Sequence, residues 1–148
     1  MSEISSTSRW QLPMLAVGQM QKEVTHNEAL ARIDALLSPL VESPPLDVPP
    51  SAPLAGQCWL VGTAPSNAWS GRAHHLACWT SGGWRWIAPQ IGMTVRLADG
   101  RLARFGGSHW ILPVAVSLPV NGATVDSEAR LAIAAVIAAL QAQGLLAT

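Results

Sequence analysis

The sequence contains no tyrosine and a single phenylalanine, so its aromatic chemistry rests on seven tryptophans. It is also short of charge: 12% of its 148 residues are Asp, Glu, Lys or Arg, about half the usual quarter. Nine basic residues balance nine acidic ones, and a chain without net charge is ill suited to hold nucleic acid by bulk electrostatics. Two cysteines, Cys58 and Cys78, are too few for a disulfide framework and read as reduced, buried small hydrophobes. A membrane span needs roughly 20 apolar residues in a row. The best candidate, residues 131–140, is Ala-rich and falls well short, so no membrane insertion is expected. Residues 1–9 are Ser-rich and lack the apolar core of a secretory leader.

Carboxylates are scarcest in the middle of the chain. Between residues 54 and 113 only Asp99 opposes Arg72, Arg85, Arg96, Arg101 and Arg104, a net charge of +4, against −3 before this stretch and −1 after it. Cleaving a glycoside usually takes two neighbouring carboxylates, and this stretch supplies one. No Gly-x-Ser-x-Gly elbow is present. On a strand, the adjacent His74 and His75 would point to opposite faces, and Cys58, Cys78 and His109 have no recognised zinc spacing. Gly82-Gly83 and Gly106-Gly107 read as hairpin turns rather than phosphate-cradling loops. The expectation is a protein that is not an enzyme and carries no metal and no cofactor.

What remains is grease. Hydrophobic residues make up 49% of the chain and the mean hydropathy is +0.27, which leaves a poorly solvated surface for a lone molecule. Cover by other protein chains is the expected remedy.

The length suits one cored domain, and the chain divides into three parts. In residues 1–53, Thr25 and Glu28 have the spacing of a capping box. Leu30, Ile33, Leu37 and Leu40 then recur at helical spacing, predicting a helix over residues 26–37 that Pro39 stops. Residues 10–23 either extend that helix or form an extended arm anchored by Leu12, Met14 and Leu15; the capping box favours the arm. Six prolines between 39 and 53 make a semi-rigid spacer of polyproline type.

Residues 54–113 hold six of the seven tryptophans. Apolar runs at 58–61, 76–79, 84–87 and 94–97, separated by Gly, Ser and Asn, read as antiparallel strands. A weak echo relates 76–89 to 102–113, as two similar hairpins side by side would. Arg and Trp with little acid suit a glycan, and Trp69 with Arg72, in a turn-rich stretch, is the best pair of surface contacts. In residues 114–148, Asp126 or Ser127 caps a second helix and Gly144 ends it. Leu131, Ile133, Ile137 and Leu140 belong to a stretch apolar on every face, the mark of an assembly element. The fold class is therefore α+β: an extended arm and helix, a small Trp-rich antiparallel meander or open barrel, and a C-terminal apolar helix.

The motif running from Leu12-Pro13-Met14-Leu15 through Gly18-Gln19-Met20-Gln21-Lys22-Glu23 to Thr25-His26-Asn27-Glu28-Ala29-Leu30 resembles the signature of a domain-of-unknown-function family. That family occurs in alphaproteobacterial phages, prophages and gene transfer agents. Glu42-Ser43, Gly56-Gln57, Ala68-Trp69-Ser70-Gly71 and Gly82-Gly83-Trp84-Arg85 follow in the family's order. The resemblance implies a virion structural protein, assembled in the bacterial cytoplasm, that seats a head spike or tail fibre. Its partners would be copies of itself (five by analogy with a capsid vertex, three with a fibre), capsid proteins and a spike or fibre protein. The polar block Gln19, Gln21, Lys22, Glu23, His26, Asn27 and Glu28 would latch subunits together or to the capsid. The other reading is a glycan-binding adhesin module that contacts host polysaccharide through Trp69 and Arg72.

Overall fold

The computed structural model describes residues 5–16, 18, 22–120, 122 and 125–148. In chain order the elements are α1 (Lys22–Leu36), β1 (Leu40–Val41), β2 (Cys58–Leu60), a 3-10 turn (Asn67–Trp69), β3 (Leu76–Thr80), β4 (Gly83–Ile87), β5 (Thr94–Leu97), β6 (Leu102–Phe105), β7 (Trp110–Ile111) and α2 (Ser127–Ala142). The α+β class and the four strands expected from the apolar runs are all present.

The strands form two sheets, ordered β1-β5-β6-β7 and β2-β3-β4. Alternation decides what each strand buries. Val95 and Leu97 of β5, with Ala103 and Phe105 of β6, face a core shared with Leu60, Leu76, Val41 and Trp110. β2 is buried on both faces: Cys58 and Leu60 point into that core, while Trp59 points the other way into a second cluster. The echoed hairpins exist as β3-β4 and β6-β7, but they lie in different sheets rather than side by side.

The proline-rich segment does more than space. It threads along β2, where the Glu42 amide donates to the Cys58 carbonyl (3.0 Å) and the Leu46 amide to the Leu60 carbonyl (2.9 Å). β1 itself pairs in parallel with β5, so this segment links the two sheets.

The expectation of two reduced cysteines is overturned. β2 and β3 are antiparallel neighbours with Cys58 directly opposite Cys78, Cα to Cα 4.1 Å, and the two form a disulfide. It closes a loop of 20 residues in sequence separation, a length for which cross-linking stabilises by about 3 kcal/mol. Reduction should lower the urea midpoint accordingly, and the Cys58→Ala/Cys78→Ala variant should match the reduced protein whatever the redox buffer.

The helix ends differ in how well they were foreseen. Asp126 caps α2 as expected, its Oδ1 accepting from the Ala129 amide at 2.9 Å. Gly144 ends it at φ +74°, and its carbonyl takes the Leu102 amide (2.8 Å), docking the chain end on β6. α1, by contrast, begins before the predicted residue 26, so Thr25 and Glu28 lie inside it and no capping box forms. Glu28 is held by Arg85 and Arg32 instead. Of the residues 10–23 expected as an arm, 10–16 are non-helical, as an arm requires, whereas Lys22 and Glu23 belong to α1.

Candidate interaction surface

α1 turns Glu23, Asn27 and Asp34 toward the rest of the chain, beside Ala31 and the buried Ala35. Asp34, only 5% exposed, accepts from the Thr7 hydroxyl (2.6 Å), the Arg9 amide (3.0 Å) and the Trp10 amide (2.7 Å). One carboxylate thus closes the turn of the N-terminal arm against the helix. The Arg9 guanidinium reaches the Ala35 and Ser38 carbonyls at 3.2 and 2.9 Å, covering orphan acceptors at the helix end. The Asn27 carboxamide clamps the arm a second time, donating to the Leu15 carbonyl (3.0 Å) and accepting from its amide (2.9 Å). Glu28 Oε2 meets Arg85 Nε of β4 at 2.9 Å. Between arm, α1 and β3 lies a cleft of about 380 Å³ lined by Met14, Val24, Ala31, Trp79 and the disulfide.

Of the residues expected to form a latch, three make contacts within the chain. Glu23, Asn27 and Glu28 turn inward onto their own chain, because the arm and β4 offer them amides and a guanidinium. Lys22 and His26 stay at the surface; Gln19 and Gln21 lie outside the described residues.

At the C-terminal end of α1, apolar side chains face solvent. At about 100° per residue, Ile33 and Leu36 fall away from Glu23, Asn27 and Asp34, with half-buried Leu30 between, and Leu37, just past the helix end, is exposed as well. Ile33 is 51% exposed and Leu37 50%. Trp10 joins them: its Nε1 donates to the Leu37 carbonyl at 2.7 Å while half of its indole remains exposed. α2 is likewise bare. Leu131 is 72% exposed, Ile133 and Val136 are exposed, Leu140 is half-buried, and only Ile137 is buried. The connector before α2 adds exposed Val114, Val116, Leu118 and Val120.

Five of the seven tryptophans form a cluster on the far face of β2-β3-β4. Trp84 sits at its centre, edge-on to Trp59 (5.6 Å), Trp69 (5.3 Å) and Trp79 (4.9 Å) and stacked on Trp86 (5.8 Å). Edge-to-face contact sets the positive rim of one indole against the negative face of the next. Ala77, wholly buried and opposite both Trp59 and Trp86 in register, leaves the space that the rings fill. Trp69 is here a correction. Expected at the surface, it is fully buried, because the 3-10 turn folds its side chain onto Trp84. Its Nε1 has no hydrogen-bond partner among the described residues. Arg72 is exposed, but its guanidinium lies 5.6 Å from the Trp86 ring centroid, a cation–π contact on the face a sugar would need.

Elsewhere the electrostatics are mild. Arg101 hydrogen-bonds Asp99 through both its side chain and its amide, holding that carboxyl below its ordinary range and raising the guanidinium. Among the described residues no three His, Cys, Asp or Glu side chains group as a metal would require, and no helix is long and apolar enough to cross a membrane.

A family model described as "Protein of unknown function (DUF2793)" matches residues 26–111. The chain belongs to the DUF2793 family. The DUF2793 match spans most of α1, both sheets and the tryptophan cluster, and it stops before the connector and α2. No curated protein matches the sequence.

Sequence reasoning found the stripe of α1 and the grease of α2 but missed Asp34, Thr7, Arg9 and Trp10. Nothing in their spacing marks the arm's return to the helix end; a lone Asp inside an apolar stripe was the available sign.

Proposed function

We propose that this protein is a non-enzymatic structural component of a phage-like particle or gene transfer agent. In this reading it assembles as a homo-oligomer into the base or adaptor that seats a head spike or tail fibre. One observation supports it above the others: both helices leave apolar side chains open to solvent, as a chain covered by other chains would. The N-terminal motif, with its resemblance to virion proteins, supplies the setting.

The test is composition. Particles purified by density gradient from the producing bacterium should contain the chain in several copies, and a reconstruction should find it beneath an appendage. Deleting the gene should give particles that lack the appendage and attach poorly to cells. Purified particles free of the chain would end the proposal.

A further inference from the structure

Both cysteines of the Cys58–Cys78 disulfide are buried, at 1% and 3% exposure. They nevertheless form part of the wall of the cleft of about 380 Å³ between the arm, α1 and β3. On the helix side, Ala35 lines that cleft and packs in the same cluster as both cysteines. A single methyl group cannot screen two sulfurs. The arm supplies further cover: Thr7, Ser8, Arg9 and Met14 line the same cleft. Ser8 and Arg9 lie directly against Gly56, two residues before Cys58, where an added Cβ would come within 3.3 Å of Arg9 Cγ.

The arm is held at few points. Asp34 accepts from Thr7, Arg9 and Trp10, the Arg9 guanidinium reaches the end of α1, and Asn27 clamps Leu15. Breaking so small a set is a local opening, which exposes far less surface than separating the sheets. At another part of the rim, Glu28 of α1 meets Arg85 of β4, with side chains 38% and 34% exposed.

We propose that the arm is a lid over the disulfide, and that its release from Asp34 admits a small thiol to the sulfurs. The thiolate attacks one sulfur, a mixed disulfide forms, and the other cysteine leaves as a thiolate and takes up a proton. A second thiolate attacks the mixed disulfide and frees the first cysteine, which is protonated in turn. The protein gains two electrons and two protons, and the reductant departs as its own disulfide. This lid is independent of the assembly reading, since it works within one chain.

Dithiothreitol is the probe, with alkylation and mass spectrometry counting free thiols against time. Reduction is followed in buffer and in urea well below the unfolding midpoint. For the wild type the rate should be nearly independent of urea, because opening the arm exposes little surface. Asp34→Ala should be reduced about tenfold faster or more, since the open fraction enters the rate directly. Thr7→Val, a milder change that removes one donor to Asp34, should be faster than wild type by a smaller factor. Glu28→Gln, away from the arm's anchors, should match the wild type. The inference is overturned if wild-type reduction accelerates with urea as steeply as global unfolding does. It is equally overturned if neither arm variant is faster, or if Glu28→Gln gains as much as Asp34→Ala.

Discussion

Asp34→Ala should release the N-terminal arm. The buried carboxylate satisfies one hydroxyl and two amides, and a hydrogen bond to a charged acceptor is worth about 1.5–3 kcal/mol. The loss should be about 3 kcal/mol or more, because the three donors would be left without their acceptor. The sharper readout is proteolysis. Arg9 is a trypsin site whose guanidinium is held on the carbonyls of Asp34, Ala35 and Ser38. Wild-type protein should resist cleavage there, whereas the variant should be cut at Arg9 long before the sheets open. Asp34→Asn, which keeps an acceptor, should fall between the two. Equal protection in all three would show that Asp34 does not hold the arm.

Trp69→Ala should be the most damaging change in the tryptophan cluster. The side chain is fully buried against Trp84, and truncating such a residue typically costs about 3–5 kcal/mol through lost transfer energy and the cavity left behind. In a domain of this size that lowers Tm on the order of 10–20 °C. Trp69→Phe should cost much less, since it keeps part of the ring and removes the indole N–H that lacks a partner. A Trp69→Ala protein that melts with the wild type would contradict the burial, and would restore this residue as a surface contact.

The reasons some features were legible and others were not are local. Cys58, Leu76, Trp84 and Thr94 open apolar runs bounded by turn residues, so their strands follow from short-range grammar. Asp126 lies at the first residue before a helical stretch, and its cap needs no tertiary information. The partition into two sheets is different in kind. The hairpins 76–87 and 102–111 have similar local sequences, and nothing in either says which neighbour it will pair with. The disulfide depends on that pairing too, since only the register of β2 against β3 sets Cys58 opposite Cys78.

The direction of α1 was hidden for a more general reason. Periodicity reveals that a helix has a greasy side, not what that side will face. Here the protein's own contacts are made by Asp34, Asn27 and Glu28, and Ile33 and Leu37 are left outward. A rule that sends apolar stripes to the interior fails at α1, where the arm and β4 claim the polar residues instead. Trp69 failed in the opposite sense, as a turn-rich neighbourhood suggested exposure while the turn itself carried the ring inward.

The indoles packed around Trp84 also give the molecule an optical signature. Rings this close couple their electronic transitions, so circular dichroism should carry an exciton couplet that vanishes when β4 separates from β3. Trp10, set apart at the tip of α1 and half in water, should emit at longer wavelength than the rest. One unlabelled sample therefore reports on two places at once: the ellipticity on the sheet, the red edge of the fluorescence on the arm.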